Sequence, residues 1–417
     1  MPDSPITNFR DSDDVDLGKK LVTKDYLLEV YGTILENSPA SGLVVTPELW
    51  TWGLRGEGRL GNNTTSVGDM RTPVTVFSGG TNWKQVDSGH DHAAAIKTDG
   101  TLWIWGNSGV HGTNDTTQRQ TPVTTFAGGT DWKQVSCGKG STGAIKTDGS
   151  LWVWGNNAFG QLGVNDTTQR LTPVTTFIGG NTWKQVYMVD GGGGRHHTLA
   201  IKTDGSLWTW GGNEGGQLGI GFNGDSTGRT TPVTTFIGGN DWKSISGGRG
   251  YSVAIKTNGT LWVWGGNGAG TLGINDGNIF TIKNTPVTTF AGGTDWKQVG
   301  GHNNTAAIKT DGTLWVWGYN EFGQLGVNDT TNRLTPVTTF AGGTNWKSVG
   351  GGYFHTTAIK TDGSLWTWGL NTGGQLGTND ITPNRNTPVT TFAGGNDWKQ
   401  VSGGRQHTQA IKSVDYI

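Results

Sequence analysis

One pattern about 52 residues long returns seven times between residues 49 and 412, and little else about the chain leaves it so few ways to fold. An LWxWG box has its first Trp at Trp50, Trp103, Trp152, Trp208, Trp262, Trp315 and Trp366. A TPV box follows each, then a WK box, then an AIK box. Three Trp in each of seven units account for all 21 in the chain. Each box reads as a strand. In LWVWG, Leu and Val alternate with Trp, so both faces are apolar, as in a sheet packed between two others. PVTTF, WKQV and HTTAIK are short, β-branched or aromatic, and bounded by Gly, Asn and Asp. Four short strands per unit and seven units point to an all-β, seven-bladed β-propeller. A solenoid would need polar caps, and neither terminal unit is atypical in that way.

The turns say where the ring closes. AIK runs into the next LWxWG through TDG or TNG, as at Asp99-Gly100 and Asn258-Gly259, which suits a tight hairpin. Seven blades need seven such hairpins, and the chain has six. The spacing therefore predicts that residues 407–412 pair with residues 49–53, so that one blade is built from both ends of the repeat array and no edge is left free.

Composition agrees with a packed fold. The apolar fraction is 32%, and it reaches about 48% once the 73 Gly are counted in and the 7 Tyr left out, an ordinary figure for a globular chain. Gly lacks the three-residue period of collagen. A net charge of -1 gives no global field toward nucleic acid or anionic lipid, so nucleic acid is not expected as a partner. No run of 18 apolar residues suggests a membrane span, and the N-terminus is too polar for a signal peptide. A single cysteine, Cys137, cannot form an intrachain disulfide or a Cys-based zinc site.

Residues 151–174, LWVWGNNAFGQLGVNDTTQRLTPV, are followed by a GGxxHTxAIK segment. The markers WGxNxxGQLG and, some forty residues later, GxxHxxA resemble the regulator-of-chromosome-condensation propeller repeat. The resemblance runs through all seven units, with departures. Residues 106–112 read GNSGVHG in place of GQLG. The His of GxxHxxA is His92, His197, His355 and His407, but Ser141, Tyr251 and Asn304 stand elsewhere. The resemblance implies the propeller and places WKQV as the innermost strand. It does not fix function, since this fold serves a nucleotide-exchange factor, a photoreceptor and an enzyme inhibitor. The photoreceptor's GWRHT box corresponds to GGRHHT (residues 193–198) and GGRQHT (residues 403–408), which lack its Trp, so photoreception is not expected.

Most chemistry-bearing residues read as scaffold. The Trp recur in every unit with no favoured site and suit blade packing better than ligand stacking. The four His, one blade apart, suit a repeated hydrogen bond better than a catalytic cluster. Cys137 aligns with Gly301 and Gly403 and fits a small buried slot. The NDTTQR loops place Asp115, Asp166 and Asp329 four residues before an Arg, which reads as a local pair or Asx-turn rather than calcium, and no metal site or cofactor is expected. No nucleophile–base pair or phosphate loop is recognisable, so the chain reads as non-enzymatic.

One pattern reads as functional. Seven residues before each AIK lysine stand His90, Lys139, Arg195, Arg249, His302, Tyr353 and Arg405. With WKQV innermost, these side chains would ring a channel mouth and could hold a phosphate, a carboxylate or an acidic segment. Loops on the same face vary in length (residues 187–194, 221–228 and 275–283), whereas AGGTD and TDGS on the other face hardly change.

Residues 1–42 precede the propeller, assigned to residues 43–417. Residues 1–16 carry five Asp and one Arg. Thr23 then suits an N-cap for a short helix with an apolar stripe of Tyr26, Leu27, Val30, Tyr31, Ile34 and Leu35, and residues 36–42 read as a linker. Residues 11–32 ahead of such a repeat domain resemble accessory structural proteins of tailed phages of marine bacteria. Two readings follow. In the first, the propeller is a display module on a virion surface, anchored through residues 1–42 on other virion proteins, with its variable face toward a host-surface glycan. In the second, it is a cytoplasmic regulatory binder that grips an acidic protein with the cationic ring.

Overall fold

The computed structural model describes residues 44–64, 68–77, 80–107, 109–191, 195–222, 228–278 and 280–416. By compactness the chain divides into Met1–Thr46 with Asp415–Ile417, and Pro47–Val414; the second unit carries the fold. The expected helix and its stripe from Tyr26 to Leu35 lie outside the described residues.

Among the described residues twenty-eight strands, β1–β28 in chain order, form seven four-stranded antiparallel sheets. In one blade β3 (Trp83–Ser88), β4 (His92–Lys97), β5 (Leu102–Gly106) and β6 (Arg119–Thr124) follow in order. The WKQV strands β3, β7 (Trp132–Cys137), β11 (Trp183–Val189), β15 (Trp242–Gly248), β19 (Trp296–Gly301), β23 (Trp346–Gly351) and β27 (Trp398–Gly403) each neighbour the next, and β27 neighbours β3. They are the innermost strands of a closed seven-bladed propeller. The closing blade runs β2 (Asp69–Thr75), β1 (Val44–Leu54), β28 (His407–Tyr416), β27, so the pairing predicted from the missing hairpin is present.

The blades hold one another through the repeated boxes. One cluster joins Ile145, Leu151 and Val153 of one blade to Trp183, Val186, Ala200 and Trp210 of the next. The second Trp of each LWxWG is buried and donates its indole N–H to a carbonyl in the preceding blade's loop: Trp210 to Gln161 at 2.9 Å, Trp264 to Gln217 at 2.8 Å, Trp368 to Gln324 at 2.9 Å. The last glycine of GQLG sits under that ring. Gly163 has φ +67°, and a Cβ there would lie 2.7 Å from the Trp210 indole nitrogen, so both backbone and space call for glycine. Each AIK lysine covers two Trp, as Lys202 does at 4.8 Å from Trp183 and 4.4 Å from Trp208. Near the axis, the Gln85 side chain accepts from Val135 N–H and donates to its carbonyl, both at 3.1 Å, and Gln134 does the same to Val186.

Candidate functional site at the channel mouth

The loops between the first and second strands of each blade converge at one end of the channel, and backbone hydrogen bonds tie them in a chain. His90 N–H donates to the Gly138 carbonyl at 3.3 Å, Arg249 N–H to His302 at 3.1 Å, and Tyr353 N–H to Gly404 at 3.1 Å, each in the following blade. A fixed backbone leaves the side chains to set the chemistry.

The structure brings only part of the predicted ring into direct contact. Tyr353 stacks on His302 with centroids 4.3 Å apart and meets His90 edge-on at 5.7 Å. Lys139, Arg195, Arg249 and Arg405 are exposed around them. Arg195, Arg249 and His302 line a groove of about 390 Å³ with Asn303, Tyr319 and Phe354, while His90, His302 and Arg405 line a channel cavity of about 170 Å³. Lys139 lines neither of these two. An aromatic patch continues from Tyr353 through Phe354 (5.1 Å) to Phe322 (5.0 Å), with Tyr319 alongside.

The sequence reading missed the acids beneath this ring. Asp190 lines the channel cavity with its side chain 5% exposed; its oxygens lie 3.8 Å from His196 Nδ1 and 3.8 Å from His302 Nε2, beyond hydrogen-bond range. Burial pushes its carboxyl up to about 6, against the pull of His90, Lys139 and Arg405. Asp91 is half-buried, which alone would raise its carboxyl, but its hydrogen bond to His90 (2.5 Å), that imidazole's charge and Arg59 at 3.0 Å bring it down to about 2. Asp87 bridges blades, accepting from Cys137 N–H at 2.7 Å and Ser402 Oγ–H at 2.8 Å, and burial raises it to about 6. His302 is pushed down to about 3, chiefly by burial, so it adds no positive charge at neutral pH. The mouth is a rim of four exposed cations over a mixed floor of acids, neutral His and aromatic rings. Asp190 had one available signal: it opens the longest insertion between a first and a second strand.

The residues read as scaffold behave as scaffold. Imidazole nitrogens of His92, His197 and His355 meet Thr142, Ser252 and Thr408 hydroxyls of the next blade at 3.0, 2.7 and 2.9 Å. Asp115, Asp166 and Asp329 pair with Arg119, Arg170 and Arg333 at 2.5–2.6 Å and cap Thr117, Thr168 and Thr331 N–H groups, so pair and Asx-turn coexist. Cys137 is buried, and burial raises its thiol well above the usual value. Among the described residues no group of three His, Cys, Asp or Glu could hold a metal ion, and no helix is long and apolar enough to cross a membrane.

The regulator of chromosome condensation (RCC1) repeat matches residues 48–96, 148–201, 204–255, 311–359 and 362–411, more than half of the chain. The chain belongs to the RCC1 repeat family. A second description of that repeat matches residues 83–112, 132–161, 189–217 and 346–375. Among curated relatives, the ultraviolet-B receptor UVR8 of Arabidopsis thaliana is 30% identical over 79% of this chain and 62% of its own length. A probable E3 ubiquitin-protein ligase of mouse, HERC4, is 28% identical over 54% of this chain and 21% of its own. This RCC1-repeat chain thus spans about three-fifths of the receptor and about one-fifth of the ligase. Of solved structures, yeast Prp20p, described with its binding to Gsp1p and histones, superposes with a TM-score of 0.76 at 17% identity, covering 90% of this chain and 93% of that one. Human WBSCR16 gives 0.72 at 18% identity, covering 88% and 99%. At these identities the superpositions speak for the fold.

Proposed function

We propose that this RCC1-repeat propeller is a non-catalytic, regulatory protein-binding module that grips an acidic segment of its partner at the variable channel mouth, within the cytoplasm. The observation that carries this is the set of four exposed cations at this mouth, Lys139, Arg195, Arg249 and Arg405, of which Arg195 and Arg249 line a groove with Tyr319 and Phe354. Cations around an aromatic floor suit a segment that alternates carboxylates with apolar side chains, because the charges orient it and the half-buried rings hold it. The family match supports this second reading over a virion appendage. The virion reading, with its glycan and virion-protein partners, rests on residues 11–32, outside the described residues.

The test is co-precipitation from extract of the source cells with full chain, against Arg195→Ala/Arg249→Ala/Arg405→Ala. The expected result is loss of the specific partner by the triple variant with its melting temperature unchanged. Retention of the same partner overturns the assignment. A large fall in melting temperature makes the ring part of the scaffold. Deleting residues 1–42 should leave the capture intact; if capture goes with them, the binding surface lies in that arm.

A further inference from the structure

The opposite mouth carries a second ring of charge. Every innermost strand begins Trp-Lys: Lys84, Lys133, Lys184, Lys243, Lys297, Lys347 and Lys399. In every blade the ladder slips at this lysine. Trp83 faces Lys97 and Gln85 faces Ile96, leaving Lys84 as the extra residue of a bulge; the same shift falls between Trp132 and Gln134, Trp242 and Ser244, and Trp398 and Gln400. A bulge re-aims a side chain that regular pleating would direct elsewhere. Here it stands between a buried Trp and a residue turned toward the next blade, so the lysine's base is fixed and its stem is free.

All seven lysines are exposed, and among the described residues none forms an ion pair, hydrogen bond or cation–π contact. The AIK lysines of the same face differ: they stack on Trp, and Lys146, Lys256 and Lys309 also pair with Asp131, Asp241 and Asp295 at 3.0–3.2 Å. The hairpin acids are engaged too, as Asp99 accepts from Thr101 N–H and Oγ–H. A chain of net charge -1 therefore gathers seven unpaired like charges in one ring around its axis. Like charges so placed repel one another and focus a positive potential on the axis, which a multivalent anion relieves. Lysine, a compact charge on a flexible stem, suits phosphate groups approached from several directions at once.

We propose that this lysine ring is a binding site for a compact anion bearing several phosphate groups, seated on the channel axis at the mouth opposite the protein-binding face. Titration calorimetry of the full chain with inorganic tripolyphosphate tests it, with orthophosphate as the single-group comparison. Tripolyphosphate should bind at least about tenfold tighter than orthophosphate, and Lys84→Gln/Lys184→Gln/Lys297→Gln/Lys399→Gln should weaken it at least about tenfold. Lys139→Gln/Arg195→Gln/Arg249→Gln/Arg405→Gln removes the same charge from the other mouth and should change the affinity less than about twofold. No binding to the wild-type chain, equal losses in both variants, or loss only in the second each overturns the proposal. Unchanged melting of the lysine variant separates lost binding from lost fold.

Discussion

The two mouths of the channel are built from the same repeat yet differ in almost every respect. At the regular mouth each blade contributes the same bulged lysine directly after a buried Trp. At the other, the corresponding position holds His, Lys, Arg, Arg, His, Tyr and Arg, with insertions, a buried acid and an aromatic patch. A repeat that must stack on its neighbours tolerates change where its strands have already ended. The regular mouth lies where the Trp, Lys and GG turns interlock, so it can present only a symmetric surface. The variable mouth can be specific.

The first way to break this contrast is to strike the interlocking side. Trp242→Ala removes an indole that is 1% exposed and donates to the Gly238 carbonyl of a GG turn at 2.9 Å, and should cost about 3–5 kcal/mol, read by denaturant unfolding. Phe354→Ala, at the variable mouth, removes a half-buried ring that packs on Tyr353 and Phe322 and should cost well under half of that. Equal costs at the two places would show that the variable mouth is as much scaffold as the rest.

Much of this was legible in the sequence, for a physical reason. Seven copies of one pattern average away local ambiguity, so strand order, blade number and closure at residues 49–53 and 407–412 follow from counting boxes and hairpins. The seven variable positions stood out too, because their residue types change while the boxes around them do not, but only some of them meet in the structure. What escaped were features set by register or depth. Lys84 and its counterparts read as strand residues, since a bulge shows only in the pairing of Trp83 with Lys97 and Gln85 with Ile96. Asp190 sits in an insertion without counterpart, so no other blade shows that the position points into the channel. The ring looked more positive than it is because burial, which neutralises His302, cannot be read from residue type.

Acid sharpens the contrast. At the regular mouth Asp99, Asp148 and Asp311 titrate below the usual carboxylate value because Thr or Ser hydrogen bonds favour their ionised form. Buried groups behave otherwise. Burial brings His92, His302 and His355 down to about 3 and His111, His196 and His197 to about 4, with His407 also depressed. Below pH 6.5 the unfolded chain takes up protons these His refuse, so their share of stability falls as the pH drops from 6.5 toward their folded values. Asp87 and Asp190, raised to about 6, work the other way: the folded state takes up protons first, so they add stability as pH falls through 6. Seven His against two carboxylates gives a net loss, and the melting temperature should hold above pH 7 and drop below pH 6. Asp190→Asn should raise it at pH 8 and leave it unchanged at pH 4. A melting temperature flat from pH 8 to pH 4 would sink this account.

The smallest effect lies at the junction where the ring closes. At three other junctions a Thr or Ser hydroxyl on the second strand meets the preceding blade's His, and two of these hydroxyls also donate to a loop carbonyl, Ser252 to that of Gln217 and Thr408 to that of Gln375. At the closing junction that position is Ala93. Both ring nitrogens of buried His407 then have no partner, and Gln409 Nε2 donates to the Arg59 loop carbonyl at 3.0 Å in place of a hydroxyl. Ala93→Ser supplies the missing hydroxyl to a site where its counterparts fit, and should stabilise the chain by about 1 kcal/mol. The same change on a His407→Ala background should give nothing, because no imidazole remains to satisfy. If Ala93→Ser gains as much without His407 as with it, the closing junction differs from the other three His junctions by more than one hydroxyl.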